Sequence, residues 1–411
     1  MHILIITANY EPDLGPSAPL FTMLSMGLVE YGHKVTVITA VPHYPSGRVP
    51  DEFRGKWVWR SHESGVDVLR VGLPSVKRKN LAKRFIQFIC FQLLATIACR
   101  GIKYDSVIVA GPAIQVWLPF TWAVTLQRKP SVISVHDVYP DVGIKLGIFK
   151  NKLVISAVAA LERFCLNNAT IVRILSDSFR PGLLSLGVPE TKIKLVYDWV
   201  DTKLITPLPK DNSFSREHGL TDRYIVLYAG NIGLSQGLEH ILTTAKVLVN
   251  QKEILFLFVG DGAGKDSLQN QANEQQLLNI KFIPFQPRER LPEVLASADV
   301  SLVILRHGIG AASLPSKTFS IMASGRPILV SVDEDSEAWK LIKQADAGLW
   351  VPPEDPEKLA ETILILKQEK GLCERLGHKG RIWAEQHHSP QYATEQFENL
   401  LFKAVKIHNQ R

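Results

Sequence analysis

The chain has 411 residues, 46% of them hydrophobic, with 47 Lys and Arg against 40 Asp and Glu and a formal net charge of +7. That length exceeds what one hydrophobic core serves, so two domains are expected, and the composition is that of an ordinary soluble globular protein. The four cysteines, Cys90, Cys99, Cys165 and Cys373, form no CxxC and have no histidine at metal-ligand spacing, which argues against a disulfide scaffold or a zinc module and predicts a reduced, cytoplasmic protein.

The first apolar run, HILIITA, lacks a basic segment before it and turns polar quickly in MHILIITANYEP. It reads as a buried strand and not as a signal peptide. A helix is expected over about Leu20–Tyr31, then the strand KVTVITA. GVDVLRVG follows, then a long helical segment, SVIVAG, a second helix, PSVISVHD, another helix, ATIVRIL and IKLVYDWVD. This is the rhythm of a parallel sheet wrapped by helices. The polar stretch DTKLITPLPKDNSFSREHGLTD reads as a linker. The rhythm then restarts with YIVLYAGNIG, ILFLFVGDG, IKFIPF, DVSLVIL, PILVSV and AGLWVPP, each followed by a helical pattern. The expected fold class is α/β, with two Rossmann-like doubly wound domains at 1–205 and 206–385. A terminal helix, 386–411, is expected to cross back to the first domain. Ligands of such sheets bind at the carboxyl ends of the strands, so a central cleft is expected between the two carboxyl edges.

Three loops of the second half carry the signs of a phosphate site. In LPSKTFSIMASGRPILVS, Pro315 suits the first turn of a helix, Ser316 and Thr318 can satisfy free amides, and Lys317 adds a cation where anions are already attracted. In AGNIG, Gly230 and Gly233 let amides approach a phosphate, and Asn231, Ser235 and Gln236 add donors. A plain strand-to-helix turn explains that loop equally well. In VGDG, Gly260 and Asp261 lie in another tight turn. Together the three make a nucleotide site more convincing than any one does.

In the first half, EPDLGPSAP follows the first strand, and Gly15 would bring its backbone to the ligand; a plain surface loop is the competing reading. SVHDVYPD places His136 and Asp137 directly after a strand, where a histidine is more often functional than elsewhere. Residues 1–205 hold 24 basic and 15 acidic side chains, so the excess positive charge lies there. Nucleic acid is not expected as a partner, since zinc-finger spacing and RNA-binding aromatic signatures are missing. In VKRKNLAKRFIQFICFQLLATIACR, five cations (Lys77, Arg78, Lys79, Lys83, Arg84) precede an apolar helix too short and too polar to span a bilayer. Two readings stay open for 77–99: a core helix with a basic start, or a helix lying on an anionic membrane surface.

Taken together, ITANYEPDLGPSA…GLVEYGHKVTVITA, VHDVYPD, LYAGNIGLSQGLEHIL, FVGDG and LPSKTFSIMASGRPIL…AGLWVPPEDPEKLA resemble the GT-B glycosyltransferases. Within them the chain is similar to glycosyltransferase family 4, in the branch that builds bacterial exopolysaccharides and O-antigens. The resemblance covers nearly the whole chain. It implies transfer of a hexose from a nucleotide diphosphate sugar, UDP-glucose first and UDP-N-acetylhexosamine second, with retention, without a cofactor and without a metal. The acceptor it implies is a lipid-linked saccharide or polysaccharide, at the inner face of the plasma membrane. On the same basis His136 and Lys317 are the catalytic candidates. The donor-binding candidates are Gly15, Asn231, Gly233, Gln236, Gly260, Asp261, Phe285, Gly310, Ala311, Ala312, Ser316, Thr318 and Ser320.

The chain departs from the family in two respects. Two glutamates common in relatives would fall at Ala312 and Ser320, and neither is acidic here. An Arg and a Lys common in the AGNIG loop are replaced by Asn231 and Gln236. Lys317 and the helix amides are then left as the main charge compensation for a diphosphate. DED at Asp333–Asp335 reads as a solvated acidic turn and not as a metal clamp. Two other functions remain open: a nucleotide-sugar epimerase of the same architecture, and a sugar-nucleotide binder without activity.

Overall fold

The computed structural model describes residues 1–44, 46–76, 81–145, 149–233, 236–309 and 314–410, with the backbone alone for 81–84, 142 and 145. The chain divides into two compact units, Met1–Asp198 together with Pro390–Arg411, and Trp199–Ser389.

The first unit runs β1 (His2–Ile6), α1 (Ala18–Glu30), β2 (Lys34–Ala40), β3 (Val58–Glu63), β4 (Val66–Val71), α2 (Leu81–Cys99), β5 (Ser106–Ala110), α3 (Ala113–Phe120), β6 (Ser131–Val135), α4 (Asp141–Lys145), α5 (Lys152–Asn168), β7 (Ile171–Ile174), α6 (Arg180–Ser185) and β8 (Ile193–Leu195). Its sheet order is β3-β4-β2-β1-β5-β6-β7-β8, parallel except for the β3/β4 hairpin. Runs such as SVIVA and SVISV are buried along their whole length, as strands covered by helices on both faces must be. Edge strand β3 was not read from the sequence. Its residues VWRSHE alternate between partial and full exposure, so no apolar run marks it.

The second unit runs α7 (Ser213–His218), β9 (Tyr224–Ala229), α8 (Glu239–Val247), β10 (Ile254–Val259), α9 (Lys265–Glu274), β11 (Ile280–Ile283), α10 (Leu291–Ala296), β12 (Val300–Ile304), α11 (Lys317–Ala323), β13 (Ile328–Ser331), α12 (Glu337–Gln344), β14 (Gly348–Val351), α13 (Pro356–Gln368) and α14 (Lys370–His387). Its order, β11-β10-β9-β12-β13-β14, is that of a Rossmann sheet. The connections reverse direction between β9 and β12, which makes their carboxyl ends the switch point.

The unit boundaries fall at Asp198/Trp199 and Ser389/Pro390, whereas 205/206 and 385/386 were expected. The reason is hydrogen bonding that composition does not reveal. Val200 N donates to the His388 carbonyl at 2.9 Å. The Arg381 guanidinium donates to the carbonyls of Thr202 at 3.0 Å and Ile205 at 2.6 Å. The polar stretch read as a linker is therefore fastened to α14, and it contains α7, capped by the Asn212 side chain and closed by Gly219 at φ +65°. The last helix, α15 (Pro390–Asn409), belongs to the first unit and packs on α1. Gly27 of α1 leaves room for Thr394, and His33 Nε2 lies 2.8 Å from Glu398 Oε1.

Candidate functional site

At the switch point of the second sheet, the loop after β9 and the helix after β12 converge on one ammonium group. Lys317 folds back over the Tyr228 ring, with Nζ 3.6 Å from the ring centroid. The ring is fixed by its hydroxyl, which donates to the Asn231 carbonyl at 2.7 Å. A Cβ at Gly230 would lie 3.3 Å from both Cε and Nζ of Lys317, and Gly230 has φ +128°. The backbone conformation favours glycine there, and a side chain would crowd the end of Lys317. The Lys317 Nζ and Thr318 Oγ1 atoms are buried and have no hydrogen-bond partner among the described residues. Burial pulls the Lys317 ammonium down to about 7. A cation over an aromatic face gains roughly 2 kcal/mol when desolvated, less than the several kcal/mol an ion loses on leaving water. The site thus buries an amine for which the described residues supply no counter-charge.

The loops around it are laced through backbone bonds. Gly230 N donates to the Val259 carbonyl at 2.9 Å, Ile232 N to the Asp261 carbonyl at 2.8 Å and Gly264 N to the Ile232 carbonyl at 2.9 Å. Side chains at Gly260 and Gly262 would collide with the carbonyls of Gly230 and Ile232. The structure therefore brings Asn231, Gly233, Gly260, Asp261, Lys317 and Thr318 into one neighbourhood. Gln236 turns inward, accepting from Gly233 N at 3.0 Å, and Asp261 Oδ1 accepts from Gly262 N at 2.8 Å. Phe285, 72% exposed, lies two residues beyond β11 at the sheet edge. Ser320 is half-buried farther along α11. Gly310, Ala311, Ala312 and Ser235 lie outside the described residues.

Two expectations are corrected. Ser316 and Thr318 do not cap α11: Ser316 stands at the cap position with helical dihedrals, φ −59° and ψ −24°, and its side chain makes no capping bond. A hydroxyl reaches back to the first amides only from an extended residue. Nor is Asp333 a solvated residue. Its side chain is 11% exposed; it lies 2.6 Å from His307 Nδ1 and accepts from Gly308 N at 2.9 Å. It anchors the loop after β12.

In the first unit, His136 follows β6 and meets the edge of Phe21 at 5.7 Å. Its Nε2 is 3.3 Å from Ser134 Oγ, which accepts from Arg173 at 3.0 Å. The fully buried Arg173 also donates to the Val196 carbonyl at 2.6 Å and to Asp198 at 2.7 Å. Burial pulls the His136 imidazole down to about 4, with Asp198 opposing and Arg173 adding to the shift, so the ring is neutral at pH 7. Gly15 donates its amide to Asp13 at 2.8 Å, and the Asn9 side chain fills the space where a Cβ would project.

A model of the group 1 glycosyl transferases matches residues 210–383, and a model of the glycosyl transferase 4-like domain matches residues 18–199. The chain belongs to the glycosyltransferases. It is 28% identical over 373 residues to the putative colanic acid biosynthesis glycosyl transferase WcaI of Escherichia coli K12, covering 88% of this chain and 91% of that one. Its fold is similar to that of sucrose-phosphate synthase from Thermosynechococcus elongatus, with a TM-score of 0.72 at 17% identity over 99% of this chain and 100% of that one. It is also similar to Anabaena HepE in complex with UDP-glucose, with a TM-score of 0.67 at 14% identity over 98% of this chain and all of that one. The architecture is GT-B.

Within this glycosyltransferase, sequence reasoning missed Tyr228, Arg173 and Asp13. Arg173 left a signal, a lone charge inside the apolar strand ATIVRIL. Tyr228 left only an aromatic one residue before the strand end, and Asp13 looked like any loop acid.

Proposed function

We propose that the enzyme moves a hexose from a UDP-linked donor to a lipid-linked saccharide in polysaccharide biosynthesis, with retention and without a divalent metal. UDP-glucose is the first candidate donor and a UDP-N-acetylhexosamine the second. The observation that carries the donor half is the unpaired, buried Lys317 ammonium at the switch point of the second sheet. A diphosphate would supply its missing anion, and the cation would stabilise charge developing on the leaving phosphate. The incoming hydroxyl can pass its proton to that phosphate. His136 of the first unit is assigned to turnover rather than to nucleotide affinity. The naming of UDP-glucose in the HepE complex and of colanic acid in the E. coli relative supports this reading. Retention and metal independence follow from the family resemblance alone.

The lipid half rests on α2. Gln87, Phe91, Ala95 and Cys99 face inward, while Phe85, at 63%, and Ile86, Leu93 and Ile97 are exposed. From Val68 to His136 the sequence holds ten Lys and Arg and a single acid, Asp105. Among the described residues no helix is long and apolar enough to cross a membrane. An apolar stripe within a sequence stretch rich in cations and nearly free of acids suits peripheral contact with an anionic leaflet, here the inner face of the plasma membrane.

Thermal shift with a panel of nucleotide sugars, followed by measurement of UDP release with and without acceptor, tests the proposal. Acceptor-dependent UDP release supports a transferase. Interconversion of the donor sugar without UDP release would mean an epimerase, and binding without turnover would mean a binder.

A further inference from the structure

Strands β1 and β2 are neighbours, and the loops that leave their carboxyl ends meet at a carboxylate. Asp13 is buried. Its Oδ1 accepts from Gly15 N at 2.8 Å and from Asn9 Nδ2 at 3.3 Å. Its Oδ2 accepts from His43 N at 2.8 Å and Tyr44 N at 3.3 Å, and lies 3.2 Å from His43 Nδ1. Burial alone would raise this carboxyl, but the side-chain and backbone bonds from His43 outweigh it and hold it below its usual value.

The His43 ring is oriented by these partners. Nδ1 lies 3.0 Å from the Val41 carbonyl. A carbonyl only accepts, so Nδ1 carries a hydrogen, and in the neutral ring Nε2 keeps its lone pair. The side chain is 24% exposed. Asp13 is already served by four N–H donors, so its need for partners does not explain the imidazole. Tyr44 is exposed beside it. The same loop is fixed to α2, because Gln87 Nε2 donates to the Gly47 carbonyl at 2.9 Å, and also to the Pro74 carbonyl at 2.6 Å. The helix with the exposed apolar stripe thus holds the loop that carries His43.

We propose that His43, oriented by Asp13, accepts a hydrogen bond from a hydroxyl of the acceptor saccharide, which lies against the exposed Tyr44 ring at the carboxyl edge of the first sheet. A ring nitrogen with no partner among the described residues, on a partly exposed imidazole beside an amphipathic aromatic, suits a polyhydroxylated ring with one apolar face. Fastening to α2 suits a saccharide carried on a lipid. This rests on the transferase reading and adds the group that recognises the acceptor.

The test is nitrogen-15 NMR of the histidine-labelled full chain, titrated with a panel of methyl glycosides in the presence of UDP. His43 is expected as the Nδ1–H tautomer, and at least one glycoside shifts its Nε2 resonance. His43→Phe keeps a ring of similar size without the acceptor and is expected to weaken that glycoside about tenfold, the upper range for one neutral hydrogen bond. Tyr44→Ser, a change at an exposed site, is expected to weaken it as well. Both variants should keep the UDP affinity of the unmodified protein, and Tyr44→Ser its thermal midpoint as well, whereas His43→Phe also loses the ring's bonds to Asp13 and Val41 and should melt lower. The proposal is overturned if UDP binds but no glycoside moves the His43 signal, or if both variants bind the glycoside unchanged. Failure of UDP itself to bind would overturn the donor reading, and this proposal with it.

Discussion

The Lys317 ammonium stands 3.6 Å from the centre of the Tyr228 ring and donates to no oxygen or nitrogen among the described residues. Stability alone would not select that arrangement, because the ring face offsets only part of the cost of dehydrating a cation. On the proposed donor reading, an incoming diphosphate would resolve the conflict.

Removing the cation should therefore separate stability from binding. Lys317→Met should weaken UDP binding by about 1.5–3 kcal/mol, the range for a hydrogen bond to a charged group, while raising the thermal midpoint of the free protein. The Lys317 value in the folded protein, about 7, lies below its ordinary 10.5. Between those limits the unfolded chain binds more protons, so this residue makes stability rise with pH from about 7 to 10.5 and withdraws that gain as pH falls. Denaturant titrations at pH 7 and pH 9 should show the rise in the unmodified protein and a smaller one in the variant. Equal slopes would remove Lys317 as its source.

His136→Ala should lower turnover while leaving UDP affinity nearly intact. Burial holds the imidazole at about 4, below its ordinary 6.5. The same sign applies: stability from this residue is full above 6.5 and is lost as pH falls toward 4. Kinetics beside UDP calorimetry checks the first point; equal loss of both would place His136 on the nucleotide.

Activity should survive excess EDTA. Asp333, the least exposed acid of the DED turn, is committed to His307 and to the Gly308 amide. Abolished activity restored by Mg²⁺ or Mn²⁺ would overturn this.

Neutralising Lys77, Arg78, Lys79, Lys83 and Arg84 should release the protein from anionic vesicles. Each contributes on the order of 1 kcal/mol near a charged leaflet, and added salt should mimic the change. Changing the exposed Phe85, Ile86 and Leu93 to Ser should weaken attachment independently of salt. If the unmodified protein stays in the supernatant at low salt, α2 does not bind membrane.

The alternation of buried strands with helices made both sheets legible, because parallel strands such as SVIVA and ILFLFV carry continuous apolar runs. Strand β3 was not legible, being half-exposed and paired by a hairpin. Lys317 stood out as a cation at a helix start, yet nothing local showed that it turns onto Tyr228, 89 positions earlier in the chain. That proximity comes from the adjacency of β9 and β12. The Asp13–His43 pair was hidden for the same reason, since its members leave neighbouring strands 30 residues apart.

Calorimetry of UDP binding at pH 8, in buffers of different ionisation enthalpy, tests the donor site most directly. A lysine that titrates near 7 is mostly neutral at pH 8 and must take up a proton to meet a diphosphate. Uptake of most of a proton per UDP bound is expected, and its loss in Lys317→Met. Binding without proton uptake, or with the same uptake in the variant, would contradict it.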